Sequence, residues 1–201
     1  MKPIGRRVAI IGGSRIPFAR SNTAYSTKSN QEMFTAALKG LVDKYQLHGE
    51  RIGEVQAGAV LKHSRDFNLT RESVLSSGLA PETVAADVQM ACGTGLQAAI
   101  NIANKIALGQ IESGIAGGVD TTSDAPIAVG EKLRKILLEA NRGKTTGDKL
   151  KAIAKIRPHL LSLLRPLRTS VTTALPILQF SVLLPHNQPL YHFLALHAPR
   201  A

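Results

Sequence analysis

The 201-residue sequence contains a single cysteine, Cys92, and no tryptophan. One cysteine excludes an internal disulfide framework and cannot form a thiolate metal cage, so we expect no metal site and a reducing, cytoplasmic compartment. No signal peptide is expected, because the basic residues near the start precede only a short apolar run, Val8 to Ile11. The longest apolar-leaning stretch, about Leu160 to Leu184, is interrupted by two arginines and two prolines and predicts no membrane span.

The last quarter of the chain lacks residue types that the rest uses freely. No Asp or Glu follows Asp148 and no Gly follows Gly147, whereas six of the ten prolines and four of the six histidines lie beyond residue 157. Turns recruit Gly and Asp because these residues tolerate left-handed backbone or bond their own chain, so this composition disfavours a folded domain. We therefore predict a domain at 1–157 and a poorly ordered tail at 158–201, with the boundary near 157–165.

The formal charge of +11 raises the question of a nucleic-acid partner. Residues 151–201 carry six basic and no acidic side chains, which is more than half of the excess. The other basic cluster, between Lys132 and Lys155, includes a segment at Lys132–Ala140 that alternates charge with leucine, as an exposed amphipathic helix does. Both observations argue against nucleic-acid binding.

The apolar spacing before the boundary predicts an α/β domain. Arg7–Ile11 is a β-prone run stopped by two glycines, and Glu54–Leu61 suits a second strand. Asn30–Tyr45 repeats apolar residues every three or four positions, which predicts an amphipathic helix with Asn30 as its cap. Thr70–Ser77 predicts a short helix capped by Thr70.

The next segment places the cysteine between a strand and a helix. Thr83–Met90 predicts a strand, Ala91–Gly95 a tight turn, Leu96–Leu108 a helix and Ile111–Ala116 a returning strand. This order is typical of a parallel crossover unit. Cys92 is then expected in the first turn of that unit.

That position favours a reactive thiol. The thiolate is the nucleophile, and the amide groups and positive dipole end of a helix stabilise it. Gly93 and Gly95 remove side chains on both sides of Thr94, which allows a substrate or backbone to approach, much as in the nucleophile elbow of hydrolases. The alternative is that Cys92 is a buried small hydrophobe, the commonest state of a free cysteine.

A family resemblance favours the reactive interpretation. Over residues 6–157 the chain resembles thiolases, through three motifs in the family's order and spacing: Arg15-Ile16-Pro17-Phe18, the run Asp87 to Ala98 around Cys92, and Gly114 to Asp120. The segment 120–127 is similar to the branch that acts on fatty acyl chains in β-oxidation.

The resemblance implies a fold and a chemistry. The fold would be the amino-terminal half of the thiolase-type layered α/β fold, a mostly parallel sheet with helices packed on it, with residues 120–157 starting the loop domain. Cys92 would accept an acyl group from an acyl-CoA or 3-ketoacyl-CoA, so coenzyme A enters as part of the substrate and no bound cofactor is expected. The resemblance also implies a homo-oligomer.

The chain departs from the family in its second half. Thiolases carry there a Gly-His-Pro motif, a second cysteine in Cys-x-Gly and an Asn-Glu-x-Phe segment, and none occurs here. The tail histidines, His159, His186, His192 and His197, match none of these motifs, and we assign them no role. A truncated chain of this kind is expected not to complete a thiolase reaction alone.

A smaller departure is Thr94, where many thiolases have Ser; the hydroxyl is retained. Two alternatives to a thiolase-type acyltransferase stay open. One is a non-catalytic thiolase-like fragment or dimerisation partner, and the other is a ketoacyl synthase-like condensing enzyme, which also places cysteine at a strand–helix turn. The reaction of Cys92 with an acyl thioester would separate them.

Overall fold

The computed structural model describes residues 6–126, 129–157 and a short strand at 181–185. The elements in chain order are β1 (Val8–Gly12), α1 (Asn30–Tyr45), β2 (Glu54–Ala57), a 3-10 turn (Ser64–Asp66), α2 (Leu69–Leu75), β3 (Ala85–Asp87), α3 (Thr94–Ala107), β4 (Gly114–Ala116), α4 (Glu131–Arg142), α5 (Thr146–Ile153) and β5 (Ser181–Pro185). The chain divides after Ala125 into one unit that contains the sheet with α1–α3 and another that contains α4 and α5.

The five strands form one sheet in the order β1-β5-β4-β2-β3. β2 pairs in parallel with β3 on one side and with β4 on the other, whereas β5 is antiparallel to both of its neighbours, β1 and β4. Four strands therefore run in one direction, which confirms the expected mostly parallel sheet. β3, α3 and β4 form the predicted crossover, which passes over β2.

Two helical layers cover the sheet. Strand side chains alternate between faces, so Val55 and Ile115, which are paired in register, belong to one apolar cluster with α1, and Ala116 belongs to another with α3. Phe34, Leu38, Leu41 and Val42 of α1 are fully buried in the first cluster, and the second contains Ala98, Ile102 and Ile106 of α3. The core thus holds the middle of the sheet between α1 and α3.

Helix α1 has the predicted bounds but not the predicted cap. Ser29 is the cap: its hydroxyl accepts the Glu32 amide at 3.2 Å, and the Glu32 carboxylate accepts the Ser29 amide at 2.9 Å. Asn30 is buried instead, and its Nδ2 donates to the carbonyl of Leu61 at 2.7 Å. The prediction of an Asn30 cap was wrong because both residue types suit the position and the reciprocal partner Glu32 selects Ser29.

Helix α2 begins at Leu69, one residue earlier than predicted. Thr70 lies inside it, and its hydroxyl donates to the carbonyl of Ala57 at 3.2 Å, so Thr70 links the helix to β2 rather than capping it. The predicted strands at Glu54–Leu61, Thr83–Met90 and Ile111–Ala116 are confirmed in place but are three or four residues long.

The second unit is a helix pair. α4 spans the predicted amphipathic segment, and within it Leu133 is buried while the charged side chains are exposed. α5 begins with a second capping box, in which Thr145 accepts the Asp148 amide at 3.1 Å, and Lys155 pairs with Glu139 of α4. In the described part of the chain, no helix is both long and apolar enough to cross a membrane.

Strand β5 lies inside the predicted tail. Its pairing with β1 joins Val8 to Pro185 and Ile10 to Leu183, and its pairing with β4 joins Gly114 to Leu183. The other tail residues, including the four tail histidines, lie outside the described residues, so the poor order expected for them stays a prediction.

Candidate active site

Cys92 lies in the turn between β3 and α3, two residues before the helix begins, and its side chain is exposed. The alternative of a buried Cys92 is therefore wrong, and its catalytic role stays a prediction. Within residues 6–126 and 129–157, no side chain forms a hydrogen bond with the Cys92 Sγ. The thiol is accessible to a substrate beside the amino end of α3, where amide groups and the helix dipole favour negative charge.

The turn has an unusual backbone. Ala91, just before the cysteine, has φ of 45°, in the left-handed region that residues with a Cβ rarely occupy. The Gly93 amide donates to the Met90 carbonyl at 2.9 Å, and the Thr94 amide to the Ala91 carbonyl at 3.2 Å. These bonds fold the chain back on itself between strand and helix, as in a nucleophile elbow.

Glycines let this turn sit directly on the ends of the neighbouring strands. A Cβ added to Gly95 would lie 3.8 Å from the Gly117 carbonyl oxygen, and one added to Gly118 would lie 3.3 Å from the Gly58 carbonyl oxygen. A Cβ on Gly58 would overlap the carbonyl oxygen of Val88. Gly95 was predicted to permit close approach, but 3.8 Å is an ordinary van der Waals contact; the close approach lies at Gly58, where the backbone of Val88 leaves no room for a side chain.

A row of polar side chains connects α3 to β2. Gln97 Nε2 donates to Asn101 Oδ1 at 2.7 Å, and Asn101 Nδ2 donates to Gln56 Oε1 at 3.0 Å. Gln56 Nε2 in turn donates to Glu54 Oε1 at 2.6 Å, and the buried Glu54 carboxylate pairs with Lys105. Since buried polar groups need specific partners, this row fixes the position of α3 along β2 and with it the start of the helix.

Asp120, which ends the third family motif, holds the loop after β2 against the loop after β4. Its carboxylate accepts the amides of Val60, at 2.9 and 3.1 Å, and Leu61, at 2.8 Å. Burial raises the pKa of Asp120, and the two backbone hydrogen bonds oppose that shift. Asp87, which opens the second motif, pairs with Lys62 and accepts the Thr70 amide at 2.8 Å. These motif aspartates therefore have structural partners.

The first motif folds onto itself, with the Arg15 guanidinium 3.8 Å above the centre of the Phe18 ring. The two described histidines are both bound to aspartates: His48 to the Asp43 carboxylate at 2.8 Å, and His63 to the Asp124 carbonyl at 2.8 Å. Neither hydrogen-bonds to Cys92. In the described ranges, no three His, Cys, Asp or Glu side chains cluster as metal ligands would.

Known proteins resemble this chain over most of its length. Residues 8–155 match the family model described as thiolase, N-terminal domain. The chain belongs to the thiolase family. It is 36% identical over 171 residues to a 3-ketoacyl-CoA thiolase of Citrobacter koseri, which covers 85% of this chain and 39% of the relative. A 3-ketoacyl-CoA thiolase of Cronobacter sakazakii is 37% identical over 153 residues, 76% of this chain and 35% of the relative.

The thiolase fold is also found among solved structures. The chain is similar to the Bacillus anthracis acetyl-CoA acetyltransferase with a TM-score of 0.59 and 25% sequence identity, over 63% of this chain and 32% of that one. The match confirms the predicted thiolase-type α/β fold. The chain spans somewhat more than a third of the length of the curated relatives described above.

The sequence pattern indicated Cys92 but not two groups of residues around it. The sequence indicated for Thr94 only a retained hydroxyl, and it did not predict the row from Gln97 to Lys105. One signal was present: Gln97, Asn101 and Lys105 recur at four-residue spacing on one helix face, opposite two polar residues, Glu54 and Gln56, of a buried strand. Polar side chains on both facing surfaces indicate a bonded network.

Proposed function

We propose that this chain is an acyltransferase of thiolase type in which Cys92 accepts an acyl group from a coenzyme A thioester. The observation that carries the proposal is the exposed thiol in a strained turn at the amino end of α3. The Cys92 thiolate attacks the thioester carbonyl, a new carbon–sulfur bond forms, and the bond to coenzyme A breaks. Coenzyme A leaves with the electron pair and takes up a proton.

With a 3-ketoacyl-CoA, the same thiolate attacks the keto carbonyl. The bond between the two acyl parts then breaks, the shorter acetyl-CoA leaves as a carbanion equivalent that must be protonated, and the remaining acyl group stays on Cys92. The names of the 3-ketoacyl-CoA thiolase relatives favour this substrate and a place in fatty acid breakdown. The proton transfer requires an acid or base that the family places in its second half, so we expect this chain alone to be poor at it.

The second unit supplies positive charge suited to the phosphates of coenzyme A. On α4 and α5, Arg134 and Lys135 are engaged by Glu131, and Lys155 by Glu139. In the described part of that unit, the basic side chains without an ion pair are Lys132, Arg142, Lys144, Lys149, Lys151 and Arg157. Unpaired cations attract polyanions over distances near the Debye length.

Acylation is tested by intact-mass spectrometry of the purified chain incubated with acetyl-CoA and, separately, with acetoacetyl-CoA. We expect an increase of about 42 Da, the mass that replacement of the thiol proton by an acetyl group adds. The Cys92→Ala variant, with an unchanged circular dichroism spectrum, should show no increase. A folded wild-type chain that never gains the acetyl group would overturn the proposal.

A second candidate is a non-catalytic, thiolase-like binding partner. The outer face of α3 favours it, because Leu96 is 70% exposed and Ile100 is 43% exposed on the side opposite the core. Such a surface suits association, and we propose a homo-oligomer, as the family implies. Sedimentation velocity of the wild type and of a Leu96→Gln, Ile100→Gln variant tests this: a monomer at all concentrations in both would contradict it.

The compartment follows from the same thiol. We propose that the protein works in a reducing, cytoplasmic environment, since an exposed, unpaired Cys92 is open to oxidation or mixed-disulfide formation elsewhere.

A further inference from the structure

We propose that Thr94 is a positioning residue for Cys92: its hydroxyl holds Ala91 in the left-handed conformation and thereby keeps Cys92 at the amino end of α3. This inference rests on the proposed role of Cys92 as acyl acceptor. It goes beyond that role by assigning the shape of the reactive turn to one side chain.

The hydroxyl makes two hydrogen bonds within the turn. Thr94 Oγ1 accepts the Met90 amide at 2.9 Å and donates to the Ala91 carbonyl at 2.7 Å. These two groups lie on either side of the Ala91 backbone, so a single oxygen bridges the residue whose φ is unfavourable. Thr94 itself is 5% exposed, which shields both bonds from water.

Backbone bonds alone do not account for this conformation. The bonds from the Gly93 and Thr94 amides are of the kind that any tight entry to a helix can form. A left-handed alanine persists only where its surroundings hold it there, and the side-chain bridge is the additional constraint. If the bridge is removed, we expect Ala91 to relax and Cys92 to move away from the amides of the first helical turn.

The threonine methyl has a separate role that substitution can isolate. Its Cγ2 lies 3.0 Å from the position that a Cβ on Gly58 would occupy, so the methyl packs against the end of β2. Thr94→Ser keeps the hydroxyl and loses this contact. Thr94→Val keeps a methyl of the same shape and loses the bridge, so the two variants divide the side chain into its two functions.

The control for a lost buried hydroxyl is Thr83→Val. Thr83 is fully buried, and its Oγ1 accepts the Ile52 amide at 3.3 Å, outside the reactive turn. Thermal unfolding of both valine variants shows whether their loss of stability is comparable. An effect of Thr94→Val that Thr83→Val lacks then belongs to the turn rather than to stability in general.

Backbone NMR of the full chain tests the bridge directly. In Thr94→Val, we expect the Met90 amide to lose its protection from hydrogen exchange and the Ala91 coupling constant to leave the range typical of positive φ. Thr94→Ser and Thr83→Val should retain both signals. If Ala91 stays left-handed and the Met90 amide stays protected in Thr94→Val, the inference is overturned.

Two rates measure the consequence for Cys92. Alkylation by iodoacetamide at neutral pH should fall roughly fivefold or more in Thr94→Val, since the thiolate loses the helix amides, and acetylation by acetyl-CoA roughly tenfold or more. Thr94→Ser should stay within about threefold of the wild type in both assays. Unchanged rates in a Thr94→Val chain with a relaxed Ala91 would also overturn the inference. A wild type that is alkylated but never acetylated would refute only the proposed acyl transfer, because the alkylation and NMR results still decide the role of Thr94.

Discussion

The sheet has two parts that are held in place differently. β3, β2 and β4 run parallel, come from residues 54–116, and every residue of β2 and β4 is buried. β1 is only partly buried, Ile10 is 69% exposed, and among the described strands β1 pairs with β5 alone. The turn that carries Cys92 belongs to the parallel part.

The segment of the chain that carries the Cys92 turn is therefore different from the segment that attaches β1 to the sheet. The parallel part lies within the family match at 8–155, whereas β5 comes from residues beyond it. Parallel strands require crossover helices, which cover the faces of the sheet. We therefore expect β2, β3, β4 and α3 to hold one another in place without β1 or β5. β1 is connected to β2 through α1 but does not pair with it, and its hydrogen bonds within the sheet come from β5, a strand that lies far away in the chain.

The largest effect is expected from a proline in β5. Leu183 pairs with Ile10 on one side and Gly114 on the other, so Leu183→Pro removes an amide in an interior strand. We expect a loss of roughly 3 kcal/mol or more in the free energy of unfolding. Hydrogen exchange should show the β1 amides unprotected while those of β2 remain protected.

Leu183→Val is the matched control, because it keeps the amide and suits a strand. Its β1 amides should stay protected. Protected β1 amides in Leu183→Pro would show that β5 is not what attaches β1 to the sheet.

Two glycine substitutions compare the parts directly. A Cβ on Gly58, after β2, would overlap the backbone carbonyl of Val88, whereas one on Gly12, in β1, would overlap the hydroxyl end of the Tyr45 side chain. Backbone cannot move without displacing the strand exit that leads to Cys92, but a side-chain tip can rotate. We expect Gly58→Ala to cost more than about 2 kcal/mol and Gly12→Ala about 1 kcal/mol or less in urea unfolding. Equal losses would remove the distinction between the parts.

The pH dependence of stability measures how Asp120 holds the loops after β2 and β4 together. Burial raises the pKa of Asp120, so its contribution to stability is fully present below the ordinary Asp value and is lost as the pH rises through the raised value. Asp120→Asn does not titrate. The stability of the wild type relative to this variant should therefore decline as the pH increases above the ordinary Asp value. A difference that grows with pH would contradict the burial effect.

The smallest effect is expected at the surface end of α1. The Ser29 amide, followed by Lys28, lowers the pKa of Glu32 to about 2. Its stabilising contribution is present above the ordinary Glu value and is lost as the pH falls towards 2, and Glu32→Gln should abolish this dependence. NMR titration of the Glu32 carboxyl measures the pKa directly, and a midpoint near the ordinary Glu value would show that the capping box does not form in solution.

The local pattern predicted the type and order of the elements better than the lengths of the strands. The apolar spacing gave the bounds of α1 and the β3–α3–β4 crossover, since both depend on residues near in sequence. It assigned the cap of α1 to Asn30 because the choice between Ser29 and Asn30 depends on the reciprocal bond from Glu32. β5 could not be predicted, because pairing between residues 8–12 and 181–185 leaves no local periodicity, and the tail composition argued against structure.

For the site as well, the sequence predicted where the cysteine lies but not the contacts that surround it. The position of Cys92 before a helix follows from small residues between a strand and an amphipathic segment. The hydrogen-bond bridge from Thr94 across Ala91 could not be predicted. It depends on a left-handed backbone conformation at Ala91, and alanine is not a residue type that indicates this conformation. The row from Gln97 to Lys105 required knowing which helix face meets β2.

The place of β5 between β1 and β4 sets an order of events during synthesis. β2, β3 and β4 can pair once residues up to 116 have left the ribosome, but β1, made before them, must wait for residues 181–185. During that delay, β1 presents unpaired amide and carbonyl groups beside exposed apolar side chains such as Ile10, an arrangement that invites pairing with other nascent chains. Cellular yield should thus depend on chaperones that shield β1 until β5 has been synthesised.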